Sequence, residues 1–586
     1  MSSARLGPEH RAASLKRMEE ETFDLVVIGG GVTGVGCALD AATRGLSVAL
    51  IEQRDWASGT SSRSSKLVHG GLRYLEQFDF GLVREALRER GLLHQRLCPH
   101  LVRPVSFLYP LTRRVWERAY VGSGVALYDA LAKLGGSKLP RHRHLTRRGA
   151  LELAPALAGD SLVGGLIYWD AQVDDARHTV TVARTAAHYG AALASSARVV
   201  GFERHGDRIV GAQVRCLETG RELTVRGKQV INATGVWTDQ VQEMAGRGRI
   251  RVRASKGIHL VVPRDRLHSD TGIVLRTERS VLFVIPWGRH WIIGTTDTDW
   301  NLDLAHPAAS RADIAYLLGE VNQVLAQPLG LDDIEGVYAG LRPLLHGESD
   351  DTSQLTREHA VSQSVSGLIT VAGGKYTTYR VMARDAVDVA VRSLPGSVPE
   401  SCTHETPLLG ADGYRALWNR RATLAREAGL ETTRIESLLG RYGSETLEVL
   451  DLLRERPELA EPLEGAEGTL AGEMVYAATH EGALHLDDVL TRRTRISIET
   501  FHRGTATVRA AAKWMGDELG WSELDRQREI AHYEARVAAE RGSQTQSDDQ
   551  TADAARLGAP DVRRGFSGEL EPEAVPEPNP TGGVSA

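Results

Sequence analysis

FDLVVIGGGVTGVGCALDAATRGLSVALIE, residues 23–52, carries the reading of the fold. Its first six residues are apolar but for Asp24, as suits a strand buried in a parallel sheet. Gly29, Gly31 and Gly34 follow at the spacing G-x-G-x-x-G, and small residues continue from Val35 to Ala42 as a helix. A second largely apolar run, 46–51, ends at Glu52. The glycines let the backbone turn tightly and approach a pyrophosphate, which the helix N-terminus attracts through its unsatisfied N–H groups. Glu52 stands where a carboxylate accepts both ribose hydroxyls, which disfavours a 2′-phosphate and with it NADP. A lone glycine motif is an ordinary turn. Strand, motif, helix, strand and acid in this order read as a dinucleotide site.

The fingerprint does not separate NAD from FAD, and two further segments bear on the choice. TSSRSSKLVHGGLRYL, 60–75, sets hydroxyls and cations around an apolar Leu67-Val68 and a Gly-Gly, donors that a buried polar or anionic cofactor would use. Leu368 to Ala372 reads as a strand, Gly373-Gly374-Lys375 as a tight turn, and Thr377 as the start of a helix. A helix N-terminus there, with Lys375, would stabilise negative charge growing on a flavin pyrimidine. Taken alone this corner is equally well an ordinary strand–turn–helix connection.

At 586 residues the chain exceeds what one hydrophobic core serves. Its net charge of -6 argues against nucleic acid as a partner. Cys37, Cys98, Cys216 and Cys402 are far apart and form no C-x-x-C, so a zinc knuckle, a redox dithiol and a disulfide framework are not expected, nor is any metal site. Residues 1–21 form a polar lead-in without the apolar core of a signal peptide, and no apolar run reaches the ~18 residues of a membrane span. Segments of α/β pattern interleave with antiparallel ones. The expected fold is therefore α/β plus α+β: a discontinuous Rossmann-like domain (22–96, 166–250, 355–400), an inserted antiparallel sheet for substrate (251–354), and a C-terminal helical domain (401–540). Residues 541–586, with eight acids against four bases, read as a disordered tail.

IGGGVTG at 28–34, the 60–75 segment and VINATGVW at 230–237 recur, in order, with KGIHLVVPR at 256–264, VIPWGRHWIIGTTDTD at 284–299 and AGLRPLL at 339–345. TREH at 356–359, GGKYTTYR at 373–380 and EGALHLDDVLTRRTR at 481–495 complete the set. Together they resemble the FAD-dependent glycerol-3-phosphate dehydrogenase family, within the glycine-oxidase-like flavoprotein fold, over about 22–535. The resemblance implies FAD, sn-glycerol 3-phosphate as substrate, dihydroxyacetone phosphate as product and a membrane quinone as electron acceptor. The cofactor contacts are then expected from Gly29, Gly31, Gly34, Glu52, Thr60, Ser61, Ser62, Ser65, Lys66, Leu67, Gly71, Thr234, Gly235, Gly374, Lys375 and Thr377.

Oxidation of a secondary alcohol needs a base for the hydroxyl proton and fixed cations for the phosphate. His259 lies in an apolar strand-like run, where a satisfied core histidine is the commoner reading; the family match makes it the expected general base. Arg342, with apolar flanks, is expected as a catalytic anchor near the reacting carbon, and Arg73, Tyr74 and Arg357 as substrate contacts. Thr296 and Asp297 either touch substrate or hold arginine side chains. Residues 97–165 concentrate arginines with Trp116, Tyr120 and Tyr128, a composition fit both for an anionic membrane surface and for a solvated basic loop; the quinone favours the membrane. The expected location is cytoplasmic, peripheral on the inner face of the cell membrane, and a homodimer is allowed. Three rivals stay open: an oxidase of the same substrate using oxygen, an amino-acid oxidase on the same fold, and a non-catalytic flavin-binding protein.

Overall fold

The computed structural model describes residues 4–71, 75, 79–113, 115–246, 248–277, 281–346, 358–559 and 561–563. Strand Thr22–Ile28 lies between Glu222–Asn232 and Val48–Ile51, parallel to both, and Leu368–Gly373 and Ala192–Ala194 extend the parallel sheet on either side. The antiparallel strands Ala197–His205 and Arg208–Cys216 branch from it, and His359–Val365 closes its edge. Helices Val32–Thr43, Asp175–His188 and Tyr379–Val391 cover one face in a single apolar core holding Val27, Leu39, Val180 and Ala386. The hydrophobic runs of these strands are explained by burial on both sides.

A second, ten-stranded sheet stands beside the first, with Val252–Pro263 paired to His290–Gly294 and to Gly336–Leu345. The hairpin expected around 281–293 is present as Val281–Trp287 against His290–Gly294. The expectation that the substrate sheet begins at 251 is corrected. Leu67–Val68, Arg103–Leu111 and Gly164–Gln172 also belong to it, the last two paired along nine residues from Arg103↔Gln172 to Leu111↔Gly164. Long-range pairing between strands about sixty residues apart leaves no periodic trace that identifies the partner. The segment read as a basic, aromatic candidate for membrane contact, with Tyr120, Leu127, Leu131 and Leu134 near helical spacing, thus holds the amphipathic helix Trp116–Leu134 and also contributes a core strand.

Residues from 401 onward form helices with their own apolar cores, one around Leu438, Leu450 and Tyr476, the other around Leu486, Val508 and Tyr533. The disordered tail expected from 541 is corrected as far as it is described. Helix Glu523–Thr545 runs through that boundary, and Asp549–Arg556 follows it. The Arg311 N–H donates to the Gln546 carbonyl at 2.8 Å, Lys256 pairs with Asp549 at 2.5 Å, and Ala552 packs with Trp300 and Ala308. Polar composition concealed a helix that docks through a few buried contacts.

The parts meet at Asp175, which is fully buried. Its carboxylate accepts from the Lys66 ammonium at 2.7 and 2.9 Å and from the Ser64 hydroxyl at 2.6 Å, and it pairs with Arg495 of the C-terminal domain. Burial and the neighbouring Arg495 push Lys66 down to about 8, against the pull of Asp175. Removing one partner from such a group strands the others in low dielectric. Asp175→Leu is expected to cost about 3–5 kcal/mol, read as a lowered urea midpoint of the FAD-loaded protein; an unchanged midpoint would show that the network bears no stability.

Candidate functional site

The first sheet opens at the C-terminal ends of its parallel strands into a cleft of about 570 Å³, within the size range of cofactor sites. Gly29, Gly31, Glu52, Thr60, Ser61, Thr234, Gly235, Gly374 and Lys375 line it. Gly29 has φ +110°, and a Cβ on Gly34 would fall 1.8 Å from the Gly29 carbonyl oxygen, so the turn and the helix can approach only as glycines. The helix begins at Val32 with no acidic residue and no side-chain cap from Gly31 in its first turn. Its Val32 N–H is taken by the Ser61 hydroxyl at 2.9 Å. Glu52 receives the Gly30 N–H at 2.6 Å and the Arg54 N–H at 2.7 Å, which fix the carboxylate and leave it further lone pairs. Turn, helix end and fixed carboxylate are the three parts a dinucleotide needs, so the residues present fit FAD. The second expected corner is also there, as Gly373 and Gly374 at φ +76° leading to Lys375. Its helix starts two residues later than read, at Tyr379 after a short 3-10 turn.

Other expected cofactor residues serve the walls. Lys66, at φ +59°, spends its ammonium on the Ser62 carbonyl and Asp175. Ser62 offers that carbonyl also to Arg495 at 3.0 Å. Leu67 pairs with Gln172 in the second sheet, and Gly71 sits at φ +76° at the end of the described loop. Thr377 is buried and its hydroxyl meets the His69 backbone at 3.2 Å. Arg73, Tyr74 and Arg357 lie outside the described residues.

Cross-strand register brings the chemistry together. His259 pairs with Tyr338, Gly257 with Gly340 and Ser255 with Arg342, and alternate residues share one face of the sheet. A Cβ on Gly257 would meet Arg342 at 2.7 Å, and one on Gly340 would meet the Arg63 carbonyl at 2.5 Å. The two glycines thus make a trough in which the 60–65 loop lies across the strands. Thr60 donates to the Leu341 carbonyl at 2.6 Å, and the Tyr338 hydroxyl donates to the Ser64 carbonyl at 3.0 Å. Ser65, expected at the cofactor, has its hydroxyl 2.8 Å from His259 Nε2. The imidazole stacks on Tyr338 with ring centres 4.7 Å apart and lies over Gly294, where a Cβ would come within 2.4 Å of it. His259 is 2% exposed, and its Nδ1 has no hydrogen-bond partner among the described residues. Burial, then Arg342 and Lys66, hold its pKa well below 6.5, so the ring is neutral.

Arg342 is held from three sides. It donates to the Thr295 hydroxyl and the Thr296 carbonyl at 3.1 Å each, and it faces Asp297 at 3.6 Å. Of the two readings of Thr296 and Asp297, holding an arginine is the one the geometry displays. Tyr338, Thr295, Ser255 and the glycine pair were not singled out in the sequence. Their only signal is the register across strands.

The comparisons agree with this architecture. A family profile described as FAD dependent oxidoreductase matches residues 24–380, and one described as C-terminal domain of alpha-glycerophosphate oxidase matches 401–526. Glycerol-3-phosphate dehydrogenase 2 of Mycobacterium tuberculosis is 60% identical, over 96% of each chain. The mitochondrial glycerol-3-phosphate dehydrogenase of Homo sapiens is 35% identical, over 93% of this chain and 77% of that protein. The glycerol-3-phosphate dehydrogenase structure from Bacillus halodurans, complexed with FAD, superposes with a TM-score of 0.76 at 30% identity, covering 92% of this chain and 98% of that one. The chain is thus a flavoprotein with FAD as its cofactor, and it belongs to the FAD-dependent glycerol-3-phosphate dehydrogenase family.

Proposed function

We propose that the protein oxidises sn-glycerol 3-phosphate to dihydroxyacetone phosphate and passes the electrons to a membrane quinone. The observation that carries the chemistry is a neutral, buried imidazole set on the same sheet face as a fixed arginine, beneath the cofactor loop. FAD supplies the hydride acceptor when bound. His259 takes the hydroxyl proton, a role that requires the neutral ring its surroundings maintain. Tyr338 and Ser65 fix the plane of that ring, and the shell of Thr295, Thr296 and Asp297 fixes the Arg342 fork for an anionic substrate. Once His259 holds the proton, Arg342 and Lys66 disfavour its retention, so the proton is readily released before the next turnover.

The acceptor reading draws on helix Trp116–Leu134. Gly122, Val125, Tyr128 and Ala132 face the body, while Trp116, Tyr120, Leu127 and Leu134 are 56%, 48%, 40% and 79% exposed. The last three recur every seven residues and form one apolar stripe. Arg113, Lys133, Arg141 and Arg143 are exposed around it. Apolar side chains within a basic surround suit the headgroup region of an anionic bilayer, where a quinone resides. No helix of the described residues is long and apolar enough to cross a membrane. The proposed location is the cytoplasmic face of the cell membrane.

His259→Ala is expected to lower turnover by roughly 10²–10⁴ with FAD content unchanged; near-normal anaerobic flavin reduction by glycerol 3-phosphate would remove His259 from the mechanism. The ring loses function only when protonated. The acid limb of kcat/KM should therefore fall below pH 6.5 and activity should hold as pH rises through neutrality; a limb at or above 6.5 would contradict the depressed pKa. Arg342→Ala is expected to lose about 1.5–3 kcal/mol in kcat/KM for glycerol 3-phosphate and little for glycerol, equal losses pointing away from the phosphate. Wild type is expected to float with anionic liposomes, whereas Arg113→Glu/Arg141→Glu/Arg143→Glu stays behind, keeping activity with a soluble dye. Equal flotation would place the membrane surface elsewhere, and stoichiometric hydrogen peroxide under air would make oxygen the acceptor.

A further inference from the structure

The loop that carries the cofactor residues has a second side. Between it, the His306 segment and the C-terminal domain runs a separate narrow cleft of about 20 Å³, room for one compact group and not for an organic molecule. Its walls bear Arg54, Arg63, Arg492, Arg536, Arg556 and Arg563 against two carboxylates, Asp487 and Asp561. Further acids reach some of these arginines from behind. Arg492 lies 2.5 Å from Asp55, Arg563 lies 2.8 Å from Asp488, and Glu540 lies 2.9 Å from Arg536 and 3.6 Å from Arg556.

Those acids do not balance the site. Arg63 has no carboxylate within ion-pair distance among the described residues; it donates to the Ala305 carbonyl at 3.2 Å. Burial, then Arg54, Arg556, Arg536 and Arg492, push its guanidinium down to about 9. His306 is likewise held well below its ordinary range by burial and by Arg556, Arg54 and Arg63. Arg536 Nη1, Arg556 Nη1 and Arg563 Nε are buried donors with no partner among the described residues, on residues only 8%, 4% and 5% exposed. Buried donors of this kind are costly unless something accepts from them.

We infer that this cleft binds a compact oxyanion of the phosphate class, clamped between Arg63 of the cofactor loop, Arg536 and Arg556 of the C-terminal helices, and Arg563 beyond the last of them. A tetrahedral oxyanion offers acceptors in several directions to planar guanidinium forks that converge from different elements, which a spherical halide does not. The bound anion would tie the terminal helix to the loop that forms one wall of the FAD cleft. The site is separate from the substrate site beside His259 and does not depend on the reaction assigned there.

The test is thermal melting of the full-length, FAD-loaded protein in sodium phosphate against sodium chloride of equal ionic strength. Phosphate at about ten times its Kd is expected to raise Tm by about 1–3 °C over chloride. Arg63→Gln and Arg556→Gln should each remove most of that difference, and Arg556→Gln should keep the wild-type FAD content. Arg63→Gln removes a charge with no carboxylate within ion-pair distance among the described residues, so in chloride it should not melt below wild type. The same phosphate effect in wild type and both variants would assign the anion to the substrate site and overturn the inference. Equal protection by chloride would overturn it as mere screening. Should a variant fail to fold, crystals of the wild type grown in phosphate decide: tetrahedral density between Arg63 and Arg556 upholds the site, and water there refutes it.

Discussion

Three parts of the chain are held in one geometry by a single buried carboxylate. Asp175 sits at the start of helix Asp175–His188, where its charge also meets the positive helix end. Lys66 comes to it from the cofactor loop and Arg495 from the C-terminal domain. Arg495 also grips Asp174 at 2.6 Å, and Arg495 outweighs burial to hold the Asp174 carboxyl below its usual range. Buried ion pairs of this kind add little net stability over an apolar replacement, but they tolerate only one arrangement of their partners. What they specify here is the path of residues 60–66, which has one side on the cofactor cleft and the other on His259.

The geometry of the candidate site follows from that path and from two missing side chains. Had position 257 or 340 carried a Cβ, Arg342 or the Arg63 backbone would have been displaced, and the loop could not lie in the trough between Tyr338 and Arg342. The imidazole is then enclosed by an aromatic face, a hydroxyl and a bare glycine, with cations nearby and no carboxylate bonded to it among the described residues. In the role proposed for His259 the ring has to arrive unprotonated, and burial with Arg342 and Lys66 nearby favours that state.

Attachment of the C-terminal domain combines shared apolar contacts, through Leu408, Ile498 and Ala552, with a charged seam. Its apolar cores are self-contained, whereas its seam with the cofactor domain holds Arg493 on Asp55 at 2.7 Å and Arg177 on Glu481. His485 bridges Glu529 of its own domain at 2.8 Å and Glu218 of the other at 3.0 Å. Burial and Arg563 disfavour its charge, yet Glu529 and Glu218 raise its pKa to about 10, so this link stays charged through neutral pH. A charged seam needs matched partners, and the arginine cleft around Arg63 is where the match falls short within the described residues.

Local pattern was enough to read the cofactor half. Residues 23–52 form strand, glycine turn, helix and strand because their neighbours in sequence are their neighbours in space, and the glycines are demanded by backbone approach within that unit. The ordered motifs likewise pointed to His259 and Arg342, and the fold class followed from the interleaving of segments. What local pattern could not supply was anything resting on pairing between distant strands or on docking. Sheet strands at 103–111 and 164–172, the stacking of Tyr338 on His259, the Thr295 contact to Arg342 and the bonds of Ser65 to His259 and of Lys66 to Asp175 all depend on register between segments far apart in the chain. The terminal helix was hidden for a related reason: its residues are polar, and its order comes from Lys256, Arg311 and Trp300 in another domain. Side-chain type is written in the sequence, but the face it presents and the partner it meets are set only when tertiary packing chooses among many pairings of similar local preference.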